Sequence, residues 1–290
     1  MKILNFGSLN LDYVYKVDHM VQPGETLAAT ERNVFCGGKG LNQSIALAKA
    51  GAKVCHAGLM GEEGEMLRQA MLDAGVDCRF TRTIDVPTGH AVIQVDQNGQ
   101  NCILLFGGAN RCLTSEFIDE VLADFNNGDM LLLQNEVNRL DEIVEKAYAQ
   151  GMTIVLNPSP FDDGLKVVDF NKISLLLVNE VEGWQITGET ASKDILSALK
   201  RQFPQLEVVL TLGADGAWYQ QGDTLIYQAA CPVEAVDTTA AGDTFTGYFL
   251  AGRAEGMNNE DCLRLAAKAS SMAVTRPGAA PSIPLRDELK

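Results

Sequence analysis

The chain alternates short, almost unbroken apolar runs with longer stretches whose apolar residues recur at helical spacing. Runs at residues 3–6, 54–59, 130–134, 153–157, 175–179 and 208–212 read as strands buried on both faces, since a half-exposed strand would alternate apolar and polar positions. Between them, residues 41–50, 64–74, 115–125, 140–150, 180–187 and 192–203 place apolar side chains three and four apart, as helices that bury one stripe do. Two more helices are predicted over about 243–256 and 259–274. This alternation predicts an α/β fold, a mostly parallel sheet flanked by helices.

Two regions break the alternation, residues 11–35 and 90–106. In the second, 90–96 and 102–106 flank Gln97-Asn98-Gly99-Gln100, which reads as a hairpin turn. A small β-sheet inserted into an α/β body suits a lid that closes over a site and excludes water. Lid strands are therefore expected at about 10–35 and 88–107 within a single domain, residues 1–290. The strand at 11–16 is expected to present an open edge, and such edges are ordinarily covered or paired.

Composition narrows the class. With 290 residues, 46% hydrophobic and 21% charged, the chain has the make-up of a folded globular protein. Its formal charge of -15 disfavours nucleic acid and anionic lipid as partners. The apolar runs fall far short of the roughly 20 residues of a membrane span. The first residues lack the basic flank and apolar stretch of a signal peptide, and the seven cysteines form no Cys-x-x-Cys pair, so reduced thiols and a cytoplasmic location are expected. P-loop, Gly-x-Gly-x-x-Gly and His-Glu-x-x-His patterns are absent, and three histidines leave little for a multi-histidine metal site.

The strongest chemical signal is Asp237-Thr238-Thr239-Ala240-Ala241-Gly242-Asp243, small residues running into a helix. Backbone amides at a helix start lack intrahelical partners and the dipole there favours an anion. Asp243 is then either an N-cap or a carboxylate placed to take a proton from an attacking hydroxyl. A second element, Cys36-Gly37-Gly38-Lys39-Gly40-Leu41-Asn42, opens a helix with a cation and an amide at its mouth; it is a plain turn or a donor set for hydroxyl oxygens. A third, Gly7-Ser8-Leu9-Asn10-Leu11-Asp12, ends the first strand, the edge where open α/β sheets bind ligands; an Asx turn would explain it equally. Taken alone, Lys39, Glu136 and Asn179 also have plain readings as a turn cation, a strand-end charge and a helix cap. Cys36 reads as an inert thiol, His90 as an exposed strand residue, and Met66 and Met71 as core filling.

Together, Gly-Gly-Lys-Gly-x-Asn and Asp-Thr-x-Ala-x-Gly-Asp resemble the two signatures of the ribokinase and phosphofructokinase-B sugar kinase family. The resemblance spans nearly the whole chain, through Pro23-Gly24-Glu25-Thr26, Gln134-Asn135-Glu136, Leu156-Asn157-Pro158, Asn179-Glu180-Val181-Glu182, Thr211-Leu212-Gly213, Val274-Thr275-Arg276-Pro277-Gly278 and Pro281-Ser282. It implies Asp243 as general base and the amides of Ala240, Ala241 and Gly242 as an anion hole for the transferred phosphoryl group. It implies a sugar site at Asn10, Asp12, Gly38, Lys39, Asn42 and Glu136, covered by Ile93 and Leu105 of the lid. Asn179, Thr211 and Gly213 match the nucleotide side, and Glu182 a magnesium position reached through water. Asp237, Thr239, Ala273, Arg276, Gly278 and Ser282 match a potassium site.

The activity so implied is ATP-dependent phosphorylation of a primary hydroxyl of a small sugar, with ribose the first expectation. Deoxyribose, a fructose or tagatose derivative, a keto-deoxy acid or a nucleoside are the alternatives, the last if Tyr13 or Tyr15 stacks on a base; a silent sugar sensor is a further one. The resemblance also implies a homodimer formed through the lid.

Overall fold

The computed structural model describes residues 1–289. Strands β1 (Ile3–Phe6), β2 (Asn10–Lys16) and β3 (Glu31–Gly37) lead into helix α1 (Lys39–Lys49), followed by β4 (Val54–Met60), α2 (Glu65–Asp73) and β5 (Asp77–Thr83). Next come β6 (Gly89–Val95), β7 (Asn101–Phe106), α3 (Ser115–Leu122), β8 (Met130–Gln134), α4 (Leu140–Ala149), β9 (Thr153–Asn157), β10 (Leu175–Asn179) and α5 (Glu180–Thr187). The remainder is α6 (Ser192–Gln202), β11 (Glu207–Thr211), β12 (Ala217–Gln221), β13 (Thr224–Gln228), α7 (Ala241–Ala254) and α8 (Asn259–Ala273).

Nine strands form one sheet in the order β13-β12-β11-β10-β9-β8-β1-β4-β5. It is parallel from β11 to β5, as expected, and only β12 and β13 run antiparallel. Alternate residues of each central strand enter two separate cores. Ile3, Leu132, Val155 and Leu177 join α1, α7 and α8 on one face, whereas Leu4, Leu131, Ile154 and Leu176 join α3, α4 and α6 on the other. Three strands escaped the periodicity. β5 is a polar edge, and β12 and β13 form a hairpin across Gly222-Asp223 whose aromatic-rich flanks carried a readable turn signal.

The interrupting regions form a separate four-stranded sheet, β3-β2-β6-β7. Here one expectation fails. The strand at 11–16 is interior, paired antiparallel to β3 and parallel to β6, and the edges are β3 and β7. Its partner β6 arrives from more than 70 residues later in the chain, a pairing that local pattern does not encode. Among the described residues no helix is long and apolar enough to cross a membrane.

Candidate active site

Helix α7 starts where the main sheet presents its carboxyl ends, after a turn in which Ala240 takes the left-handed conformation at φ 59°. A non-glycine residue held there stores of order 1 kcal/mol of strain. That turn brings Ala240, Ala241, Gly242 and Asp243 to the wall of an open cleft of about 240 Å³, which Lys39, Asn157, Asn179, Glu182, Thr211, Thr238 and Thr246 also line. The Ala241 amide turns back to the Thr238 carbonyl at 3.2 Å, so the open donors of the first turn are those of Gly242 and Asp243. The side chain of Asp243 makes no capping bond at the helix start. It is 8% exposed, and its two oxygens accept from Asn42 Nδ2 at 3.0 Å and Gln43 Nε2 at 2.9 Å.

Helix α1 supplies both donors because α7 lies against it without a gap. A Cβ on Gly247 would sit 2.4 Å from that of Ala46, so only glycine permits the approach. Gly38, at φ 93°, turns the chain from β3 into α1 beside the Ser8 carbonyl and the Asn10 amide, a conformation that favours glycine. This folds the glycine-rich element onto the end of β1. Ser8 Oγ donates to Glu136, whose Oε2 also accepts the Lys39 amide at 3.0 Å.

The charges interact closely. Burial works against the Lys39 ammonium, but Asp243, Glu136 and Glu182 outweigh it and hold its pKa above the usual lysine value. Burial raises Glu136, against opposition from Lys39 and the bonds from Ser8 and the Lys39 amide. Burial and the neighbouring Glu136 push Asp12 up to about 7. Asn10 accepts from Asn110 Nδ2 at 2.7 Å, and Asn110 also holds both backbone polar groups of Leu9.

Strand alternation sets which lid residues face the same way. Asp12, Val14, Ala91, Ile93, Ile103 and Leu105 share one face, so both predicted lid residues lie on the side of Asp12. Tyr13 and Tyr15 point to the other face, where Tyr13 meets His90 edge-on and Arg32 lies over its ring. His90 is half-buried between Tyr13 and Phe106 rather than exposed, because the lid's second face packs its own aromatic cluster. Burial pushes the Cys36 thiol up, as an inert thiol requires, and Met71 is buried, whereas Met66 is largely exposed and fills no core.

On the opposite wall, Asn179 and Glu182 form a reciprocal capping box on α5: Asn179 Oδ1 accepts the Glu182 amide at 2.9 Å and Glu182 Oε2 accepts the Asn179 amide at 3.0 Å. Thr211 lines the cleft, while Gly213 sits two residues beyond it with open space around it. Behind the turn that opens α7, Asp237 accepts the amides of Thr239 at 2.9 Å and Gly278 at 2.8 Å. Burial works upward on Asp237, but these bonds outweigh it and hold its carboxyl below the usual range. The Ala273 carbonyl accepts the Arg276 amide at 3.0 Å, the Arg276 side chain pairs with Glu288, and Ser282 is fully buried with its hydroxyl on the Ala279 carbonyl. Ser8, Gln43, Asn110, Asn157 and Thr238 joined the site without having been singled out as site residues. Asn157, Ser8 and Thr238 stood inside the quoted motifs, while Gln43 and Asn110 carried no signal beyond being polar.

A carboxylate and amide donors at one helix start, facing a cleft with a lysine, is equipment for moving a phosphoryl group by positioning and electrostatics. The profile of the pfkB family of carbohydrate kinases matches residues 1–286. The chain belongs to that family. Its pfkB kinship makes it a phosphotransferase with an alcohol group as acceptor. The chain is 34% identical to ribokinase of Haemophilus influenzae over 297 residues, covering 97% of this chain and 95% of that one. The solved structure of Arabidopsis thaliana ribokinase complexed with ribose and ATP matches with a TM-score of 0.90 at 31% identity, over 99% of this chain and 97% of that one. Ribokinase of Cryptococcus neoformans in complex with ADP gives 0.86 at 31% identity, over 99% and 98%.

Proposed function

We propose that this pfkB-family enzyme transfers the γ-phosphoryl group of ATP to the primary hydroxyl of ribose, giving ribose 5-phosphate. The observation that carries the reading is the start of α7, where Asp243 stands beside open amides with each oxygen held by a donor from α1. In this reading Asp243 takes the proton of the attacking hydroxyl while the open amides of Gly242 and Asp243 stabilise charge on the transferred group, the Ala241 amide being turned to the Thr238 carbonyl. Asn10, Asp12, Gly38, Lys39, Asn42 and Glu136 bind the sugar, and Ile93 and Leu105 close over it. Asn179, Thr211 and Gly213 serve the nucleotide. Tyr13 and Tyr15 face away from Asp12, which favours a small polyhydroxyl acceptor over a nucleoside that would need stacking.

The donor sets also suit the ions the family implies. Glu182 is a buried carboxylate on the cleft wall, a hard oxygen donor of the kind that holds magnesium through water, and magnesium would offset phosphate charge. Asp237, with carbonyls of Thr239, Ala273, Arg276 and Gly278 and the region of Ser282, offers oxygen donors suited to potassium, which would keep the anion-hole turn ordered. Equal turnover in sodium-only and potassium buffers would contradict that role. The reading further takes the chain as a single kinase unit, cytoplasmic and dimeric through the lid, whose edge strand β7 is exposed along its length and carries Ile103, Leu104, Leu105 and Phe106. Light scattering that finds only a species of about 31.3 kDa would remove the dimer.

The deciding experiment measures ATP-to-ADP turnover across ribose, deoxyribose, fructose, tagatose, keto-deoxygluconate and nucleosides, with Asp243→Asn as the blank. Turnover on ribose well above the others is expected. A different preferred acceptor would replace the substrate and keep the chemistry; sugar binding without turnover on any acceptor would favour a sensor.

A further inference from the structure

We propose that Gln43 is a positioning residue for Asp243, its carboxamide locked in one orientation by a buried chain of amides anchored on two backbone carbonyls. The inference rests on reading Asp243 as the base. Gln43 Nε2 donates to Asp243 Oδ1 at 2.9 Å and to Asn157 Oδ1 at 3.0 Å, while Gln43 Oε1 accepts from Gln134 Nε2 at 2.7 Å. Gln134 Nε2 also donates to Asn5 Oδ1 at 3.0 Å. Asn5 Nδ2 then reaches the Gly40 carbonyl at 2.9 Å and Ser44 Oγ at 2.8 Å. Ser44 meets His56 Nδ1 at 2.8 Å. Asn5, Gln43, Ser44 and His56 are wholly buried and Gln134 is 1% exposed, so no water competes for these bonds.

The orientation of each amide follows from its neighbours. Asn157 Nδ2 donates to the Leu177 carbonyl at 3.0 Å, so its oxygen must face Gln43. A flipped Gln43 would set its oxygen against both Asn157 Oδ1 and the Asp243 carboxylate, and its amino group against that of Gln134. Flipping Gln134 in turn would oppose its oxygen to Asn5 Oδ1, and flipping Asn5 would oppose two oxygens at Gly40. In only one arrangement does each of these contacts set a donor against an acceptor, with Gln134 Oε1 and His56 Nε2 left without a partner, and it aims an N–H at Asp243. The far end carries no charge near neutral pH, because burial pushes His56 down to about 4.

Such a lock has a use at this site. Asn42 alone, on Oδ2, would leave the carboxylate free to pivot, whereas donors on both oxygens fix its plane and leave each oxygen a lone pair for an acceptor hydroxyl. Withdrawing one donor therefore frees the carboxylate to turn, which costs turnover more than acceptor binding. The other charged groups bearing on Asp243 are Lys39 from α1 and Glu136 beyond β8, with Glu182 of α5 across the cleft, and none of them changes in the test.

The test substitutes Gln43→Met, close in shape but without a donor, in the full chain, and follows turnover, acceptor KM and melting. A fall in kcat of about 10- to 100-fold is expected, with KM within about threefold. A folded variant with wild-type kcat, or with the loss mainly in KM, overturns the proposal. Gln134→Met leaves the Gln43 donor in place but frees it to turn; a smaller fall in kcat with KM unchanged is expected, and wild-type behaviour overturns the lock. Asp243→Asn separates the layers: if it retains turnover, the base reading itself fails, whereas a silent Asp243→Asn beside a wild-type-like Gln43→Met removes only the role of Gln43.

Discussion

Asp243 and the edge strand β7 are both assigned to the acceptor, yet they are built in opposite ways. Asp243 is nearly buried and its oxygens are fixed by Asn42 and Gln43, with Gln134, Asn5 and Ser44 ranked behind. Strand β7 is exposed at every residue, Leu104 to 71%, and has a hydrogen-bonded neighbour on one side only. Donors on both of its oxygens hold the Asp243 carboxylate in one orientation before substrate arrives. An apolar strip in water gains by being covered, so the lid has reason to move onto a sugar or a second copy. Chemistry and cover are thus assigned to elements of opposite stability.

The comparison can be broken most sharply at Asp243. Asp243→Asn is expected to lower kcat by roughly 10²–10⁴-fold while acceptor affinity stays near wild type, and turnover within about tenfold of wild type would end its role as base. The lid should fail the other way. Ile103→Ser with Leu105→Ser is expected to raise acceptor KM by about tenfold with a lesser change in kcat, since these side chains contribute cover and not charge. Steady-state kinetics finding the loss mainly in kcat would mean that the lid takes part in the chemistry.

Between these extremes lies Asp12, on the lid but close to Glu136. Its pKa near 7 means that it gains a proton as pH falls through that value and then loses acceptor capacity, so acceptor KM should climb a few-fold below about pH 7. Folding favours the protonated form, so the free protein should also lose stability as pH rises towards about 7. Asp12→Asn should flatten both dependences, and KM profiles that stay parallel to wild type would assign the titration elsewhere. The smallest effect is expected at Ala240. Ala240→Gly relieves the left-handed strain and should raise stability by about 0.5–1 kcal/mol, some 1–4 °C in Tm. A lower melting temperature would show that Ala240 restrains the turn more than it strains it.

Much of the scaffold was legible because it is written locally. The unbroken runs at β1, β8, β9 and β10 had to be strands buried on both faces, and helix starts such as Asn179 carried their caps beside them. The site was legible only as separate motifs. That Lys39 and Asp243 line one cleft, 204 positions apart in the chain, depends on parallel crossovers and on the glycine contact between α1 and α7. Gln43 and Asn110 were invisible because a lone polar residue in a helix or loop reads as surface, and only burial gives it a task.

By itself the sequence determined which segments become strand or helix, which turns could open into an anion cradle, and the family to which these motifs belong. Periodicity, capping and glycine placement act within a few residues, and those distances are readable along the chain. The tertiary structure alone decided that β2 lies inside the lid sheet, that Tyr13 turns from Asp12, and that the amide of Gln43 can point only at Asp243. Those outcomes depend on partners brought from 70 to 200 positions away, where pairing and burial set the energy and local pattern has no reach.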